Sequence, residues 1–135
     1  MKIKLSPSVL KLAQRFIDVE ASGEVSILDG RTIEYSFVIS RLMQEKEPKT
    51  LLDVGCVAKI NLIPPLMCQA GWKVYGLDIR DFKFLHSNFT FLKASILENP
   101  DLPEVDFVTC VSTLEHIGLR GRYGIDEATF EGDYT

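Results

Sequence analysis

The chain is poor in the residues that mark special environments. Among its 135 residues are three cysteines, two histidines and one tryptophan. Cys56, Cys68 and Cys110 are odd in number and show no C-x-x-C spacing, which excludes a disulfide framework and a zinc knuckle. No run approaches the roughly 20 apolar residues that span a bilayer, and no Lys/Arg-rich amphipathic segment suits a membrane surface. The opening MKIKLSPS runs into a segment broken by Lys11, Gln14 and Arg15, so it lacks the apolar centre of a signal peptide. Fifteen basic residues face 19 acidic ones, a net charge of −4, with no basic stripe. An electrostatic grip on nucleic acid is therefore not expected. Repeats, low-complexity tracts and linkers are missing too. These absences lead us to expect a reduced, cytoplasmic protein that binds neither nucleic acid nor membrane and has no need of a metal.

What is present is ordinary for a globular chain. Hydrophobic residues make up 46% and charged residues 25%, which argues against disorder, and the length suits one domain. Ser6 then Pro7 form a helix start, and Val9, Leu10, Ala13, Phe16 and Ile17 recur at helical spacing before Gly23. Asp29-Gly30 is a hairpin-type turn signal within residues 24–34. A second helix is expected over 36–46, with Val38, Ile39, Leu42 and Met43 on one face.

The pattern changes at Thr50. Thr50-Leu51-Leu52-Asp53-Val54 is a short apolar run closing on Gly55, as expected of a strand buried on both faces. A short helix follows, with Pro64 and Pro65 in its first turn and Gly71 as its stop. Trp72 to Leu77, Phe89 to Leu92 and Val105 to Val111 read as three more strands, and Leu114 to Ile117 as a helical turn. Such alternation predicts a parallel sheet with right-handed crossovers. The plan is a helical segment over 1–48, an α/β unit over 49–118 and a loosely held tail over 119–135.

Two carboxylates close consecutive strands. Asp53 precedes Gly55, and Asp78 ends the second strand. In open α/β sheets ligands bind outside the carboxyl ends of the strands. A carboxylate at the second strand's end, somewhat more than 20 residues past a glycine turn, is placed to accept both hydroxyls of a ribose. The plainer alternative is that Asp78 terminates a strand and Asp53 caps a turn.

LLDVGC, VYGLDIR and DFVTCVSTLEHIGL, in this order and spacing, resemble the class I S-adenosylmethionine-dependent methyltransferases over about residues 31–124. RTIEYSFVISRL and LEHIGLRGRYG resemble a bacterial subgroup of mostly unknown substrate, some of it associated with surface-sugar pathways. The resemblance implies a partial Rossmann-like parallel sheet of about four strands with N-terminal helices. It implies S-adenosylmethionine as cofactor and a small-molecule or sugar-linked methyl acceptor. Asp53, Gly55 and Cys56 would line the methionine end of the cofactor. Asp78 would hold the ribose, with Ile79 beside the adenine and Ser95 and Ile96 flanking it. Val111 and Ser112 would lie under the methionine. Glu115 and His116 would face the acceptor, His116 as base, since its ordinary pKa lies near operating pH.

The chain departs from the family in three places. Its first loop reads Gly55-Cys56-Val57-Ala58-Lys59 rather than G-x-G-x-G, so a β-branched residue stands where backbone normally approaches the cofactor. Ser95 stands where the family offers an acidic residue to the adenine, leaving a neutral hydrogen bond in place of a charge-assisted one. Four strands are legible where the family has seven. The expectation is therefore a fragment of a longer domain, or a fourth-strand edge covered by another chain, as in a homo-oligomer.

The same residues carry quieter readings. His116 also suits a helix cap, and Glu115 a helix-dipole partner. The three cysteines read as buried small hydrophobes, because nothing cationic adjoins them. Phe82, Phe84, Phe89 and Phe91 read as core before they read as an adenine platform. Arg31, Glu34 and Tyr35 either close over the cofactor or anchor the helices. Arg120 and Arg122, next to Tyr123, either contact an anionic substrate or lie in a solvated loop, the reading we favour, and His86 suits an exposed loop. A nicotinamide-binding protein is disfavoured by the missing Gly-rich pyrophosphate turn. A non-catalytic binding or assembly module, or a fragment without activity, remains the alternative.

Overall fold

The computed structural model describes residues 30–58 and 61–117. The helix expected after Ser6 and the tail over 119–135 lie outside the described residues. Within them the order is α1 (Gly30–Leu42), β1 (Thr50–Val54), α2 (Ile63–Gln69), β2 (Lys73–Asp78), β3 (Phe89–Lys93) and β4 (Phe107–Thr109). Short 3-10 turns cover Ile96–Glu98 and Leu114–His116, the latter where a helical turn was expected. All strand pairings are parallel, and the strand order is β3-β2-β1-β4. This is a partial Rossmann-like α/β fold, with the order reversing between β1 and β4. No helix among the described residues is long and apolar enough to cross a membrane.

Strand periodicity divides the side chains between two faces. Leu51 and Val74 join Tyr35, Leu42, Ile63, Met67, Cys68, Trp72 and Phe84 in a core under α1 and α2. Leu52, Val54 and Leu77 face the other way, where Tyr75, Leu92, Ile96, Leu102, Val105 and Cys110 pack against them. The apolar runs of β1 and β2 thus follow from burial on both faces.

The end of α2 explains how the chain enters β2. Gly71 has φ of +91°, its N–H donates to Cys68 O at 3.0 Å, and Trp72 N–H donates to Met67 O at 3.0 Å. These are the two hydrogen bonds of a Schellman motif. The accompanying apolar contact is supplied by Trp72 and Met67, which share one core cluster.

Three expectations are corrected. The second helix starts at Gly30 and ends at Leu42 rather than covering 36–46. Tyr35, Val38, Ile39 and Leu42 carry its buried stripe, whereas 44–47 is exposed and offers nothing to bury. The hairpin around Asp29-Gly30 gives way to this helix from Gly30 onward; its first half lies outside the described residues. The fourth strand is only Phe107–Thr109 instead of Val105 to Val111. Before it, Asp106 is committed to a clasp: its Oδ2 accepts from Thr50 N–H at 2.8 Å and Thr50 Oγ1 at 2.7 Å. Those bonds hold the Asp106 carboxyl below the usual carboxylate range. Val108 is 62% exposed on this strand, the last in the sheet among the described residues.

Gly76 in β2 is required for space. A Cβ there would lie 2.8 Å from both Cys56 Sγ and Phe89 Cζ. Gly76→Ala is expected to destabilise the chain by about 1–3 kcal/mol through overpacking, despite alanine's lower backbone entropy. Urea unfolding followed by the fluorescence of Trp72 measures the loss, and Cys56→Ala in the same chain is expected to recover part of it.

Candidate functional site

Asp53, Asp78 and Thr109 stand at the carboxyl ends of their strands and share the α-helical face of the sheet. Asp53 is 1% exposed. Its Oδ1 accepts from Thr109 Oγ1 at 2.7 Å and its Oδ2 from Asn61 Nδ2 at 2.7 Å. Asn61 Nδ2 also donates to Cys56 O at 3.1 Å, and Asn61 Oδ1 accepts from Ile63 N–H at 2.9 Å. One buried amide therefore ties β1, the glycine turn and the start of α2. Burial is the main force raising the Asp53 carboxyl to about 6; the two donors pull it down and the nearby Asp78 charge pushes it up.

The turn after β1 folds back on β2. Gly55 has φ of +73°, a region open to glycine at little cost. Its N–H donates to Leu77 O at 2.7 Å. A Cβ on Gly55 would collide with the side chain of Thr113, so that threonine fills the space above the turn. Two residues on, Val57 N–H donates to Asp78 Oδ2 at 2.9 Å. Asp78 also accepts from Arg80: at Oδ1 from its N–H and Nε, both at 3.0 Å, and at Oδ2 from Nη2 at 2.9 Å. The Asp78 side chain is 3% exposed and that of Arg80 35%.

The start of α1 reaches the loop after β4. Ser112, at φ of +48°, donates from Oγ to Glu34 Oε2 at 2.6 Å. Arg31 Nη2 lies 3.5 Å from His116 Nε2, and Glu115 Oε1 lies 3.7 Å from the same nitrogen. Tyr35 of the same helix is buried in the core, and its phenol is pushed up to about 12, chiefly by burial and next by the Asp53 charge.

The structure thus brings Asp53, Gly55, Asp78, Ser112 and His116 to one end of the sheet. Cys56 is wholly buried with its Sγ toward Gly76, and burial pushes its thiol up. Burial likewise raises Cys68 to about 12 and lifts Cys110, so no thiolate is favoured. Val111 packs into the core under the helices, and Ile96 into the core on the opposite face. Ser95 Oγ accepts from Leu97 N–H at 3.2 Å, capping a 3-10 turn. Ile79 follows Asp78 and is half-buried. Glu115 is exposed. Phe82, Phe84, Phe89 and Phe91 form an aromatic cluster with centroids 5.1–6.1 Å apart. His86 accepts from Asn88 N–H through Nδ1 at 3.1 Å and stacks on Phe84, near the start of β3 and away from the site. Among the described residues no group of three or more His, Cys, Asp or Glu could hold a metal ion.

Sequence reasoning missed Asn61, Thr109, Thr113 and Arg80. Asn61 had a readable signal, since an Asx residue two positions before Ile63-Pro64 caps a helix start. Thr109 and Thr113 had none, because only the β1–β4 register brings them to Asp53 and Gly55.

A buried carboxylate, the backbone amide bonded to it and a glycine turn thus meet at the point where strand order reverses. No family model, curated protein or solved structure matches the chain.

The Asp53 carboxyl gives a signed pH dependence. Its folded value of about 6 lies above its ordinary 3.8, so the folded chain holds the extra proton between them. The stability this contributes is complete below the lower value and is lost as pH rises through the upper one. Relative to Asp53→Asn, the wild-type chain is expected to lose about 3 kcal/mol across that window. Paired urea titrations at stepped pH measure the difference, which should flatten above neutrality.

Proposed function

We propose that this chain binds S-adenosylmethionine at the carboxyl ends of β1 and β2 and serves methyl transfer to a small-molecule or sugar-linked acceptor. The observation that carries the reading is Asp78: a buried carboxylate closing β2, bonded to the amide of Val57 from the turn after β1, beside the switch point of a 3-2-1-4 sheet. The order of the motifs LLDVGC, VYGLDIR and DFVTCVSTLEHIGL supports it.

The bound cofactor supplies an activated methyl group on a sulfonium. The chain's own task is then to hold and orient. Asp78 accepts the ribose hydroxyls, and Val57 N–H keeps its carboxylate aimed. Gly55 and the Ser112–Thr113 loop border the methionine end. Of the two histidines, only His116 lies at this end, and its Nε2 is the group to take a proton from a hydroxyl or amine acceptor. Arg31 Nη2 and Glu115 Oε1 lie 3.5 and 3.7 Å from that nitrogen and position the ring.

A non-catalytic nucleoside-binding module is the second reading. It is favoured by Thr113, which fills the space above Gly55.

Calorimetric titration of S-adenosylhomocysteine tests the proposal, with NAD as comparator. Saturable binding is expected, weakened about 10- to 100-fold in Asp78→Asn through lost charge-assisted hydrogen bonds. Absence of binding to a folded chain, or equal binding by the variant, overturns it. Binding without methyl transfer to any acceptor selects the second reading.

A further inference from the structure

The side chain of Arg80 repeats the hydrogen-bonding demand of a ribose. A guanidinium edge presents two parallel N–H donors, which match the two oxygens of one carboxylate. Arg80 makes this match on Asp78, with Nε on Oδ1 at 3.0 Å and Nη2 on Oδ2 at 2.9 Å. A vicinal diol presents two O–H donors to the same two oxygens. The remaining donors to Asp78 are backbone amides, Val57 N–H and Arg80 N–H, and these are fixed by the chain's path.

With these four hydrogen bonds the carboxylate is saturated, since it offers about four lone-pair directions. The two occupants of its outer side therefore exclude each other. Their exposures indicate which one yields: the Asp78 side chain is 3% exposed and that of Arg80 35%. Arg80 is the more solvent-accessible of the two side chains, so it is the partner able to swing away from the carboxylate. The carboxylate has no such exit.

We propose that Arg80 is an internal stand-in for the ribose diol, a specificity-determining residue that a nucleoside displaces on binding. It keeps the buried carboxylate paired in the free chain, where an uncompensated charge would be costly. It also sets a threshold for entry. A ligand with both hydroxyls replaces both guanidinium bonds; one lacking either hydroxyl leaves an acceptor unpaired and is disfavoured. This inference rests on the nucleoside reading above, and adds that the cation limits affinity instead of supplying it.

Adenosine binding by the full chain tests this. Arg80→Met keeps the aliphatic stem and removes the fork; it is expected to bind adenosine about tenfold more tightly than wild type. Arg80→Lys keeps a charge for Asp78 but lacks the parallel pair, and is expected to fall between them. The wild-type chain supplies a readout that depends on no variant. The Nε–H proton of Arg80, observed by nuclear magnetic resonance, should be protected from exchange in the free chain and lose that protection when adenosine saturates it. Wild type should also prefer adenosine to 2′-deoxyadenosine. Weaker or unchanged binding by both variants overturns the proposal, as does an Nε–H that stays protected in the adenosine complex; in either case the nucleoside reading stands. If neither adenosine nor S-adenosylhomocysteine binds wild type or either folded variant, the nucleoside reading falls and this inference with it.

Discussion

The buried Asp53 carboxylate organises this structure. It stands in the strand that both neighbours flank, and its two oxygens reach in opposite directions along the chain. Thr109 on one side brings in β4; Asn61 on the other brings in the glycine turn and the first amide of α2. A charge removed from water is costly unless hydrogen-bonded, so Asp53 demands both donors at once. That demand fixes how three separate pieces of chain meet at the carboxyl end of the sheet. Fixed this way, the turn after β1 presents Val57 N–H to Asp78. The second carboxylate thus inherits its setting from the first.

The two acids nevertheless differ in kind. Asp53 is enclosed by neutral donors, and burial leaves its proton loosely contested near pH 6. Asp78 faces a guanidinium and two backbone amides. One carboxylate holds the scaffold together while the other keeps a surface-reachable partner. Neighbouring residues of the same type thus differ in setting by what each hydrogen-bonds, which no strand pattern reveals.

Much of the fold was legible because it rests on local rules. Apolar runs closing on Gly55 and Asp78 marked β1 and β2, two prolines marked the start of α2, and Gly71 marked its end. Where local signals competed, the reading failed. Asp29-Gly30 suggested a hairpin, but the Tyr35–Leu42 stripe needed a helical face to reach the core. The run from Val105 to Val111 looked like one strand, yet Asp106 is spent on clasping Thr50 and only three residues pair. For the site, the carboxylates and Gly55 were visible as strand-end residues. Their partners were not, because Thr109, Thr113 and the Glu34–Ser112 pair arise from tertiary register. Arg80 stood two residues from Asp78 in plain view, but its fork geometry is a property of folded side chains.

An all-parallel sheet has a kinetic side. Parallel neighbours cannot be joined by a tight turn, so every pairing here closes a loop, and the β1–β4 pairing closes the longest. Its contacts join residues 56 apart in sequence. Loop-closure entropy must be met before such contacts repay it, which makes non-local pairing intrinsically slow. The Thr50–Asp106 clasp and the Thr109–Asp53 bond both belong to that step. Thr113 comes to rest above Gly55 only once β4 has docked, so this end of the sheet has the most distant chain segments to bring together.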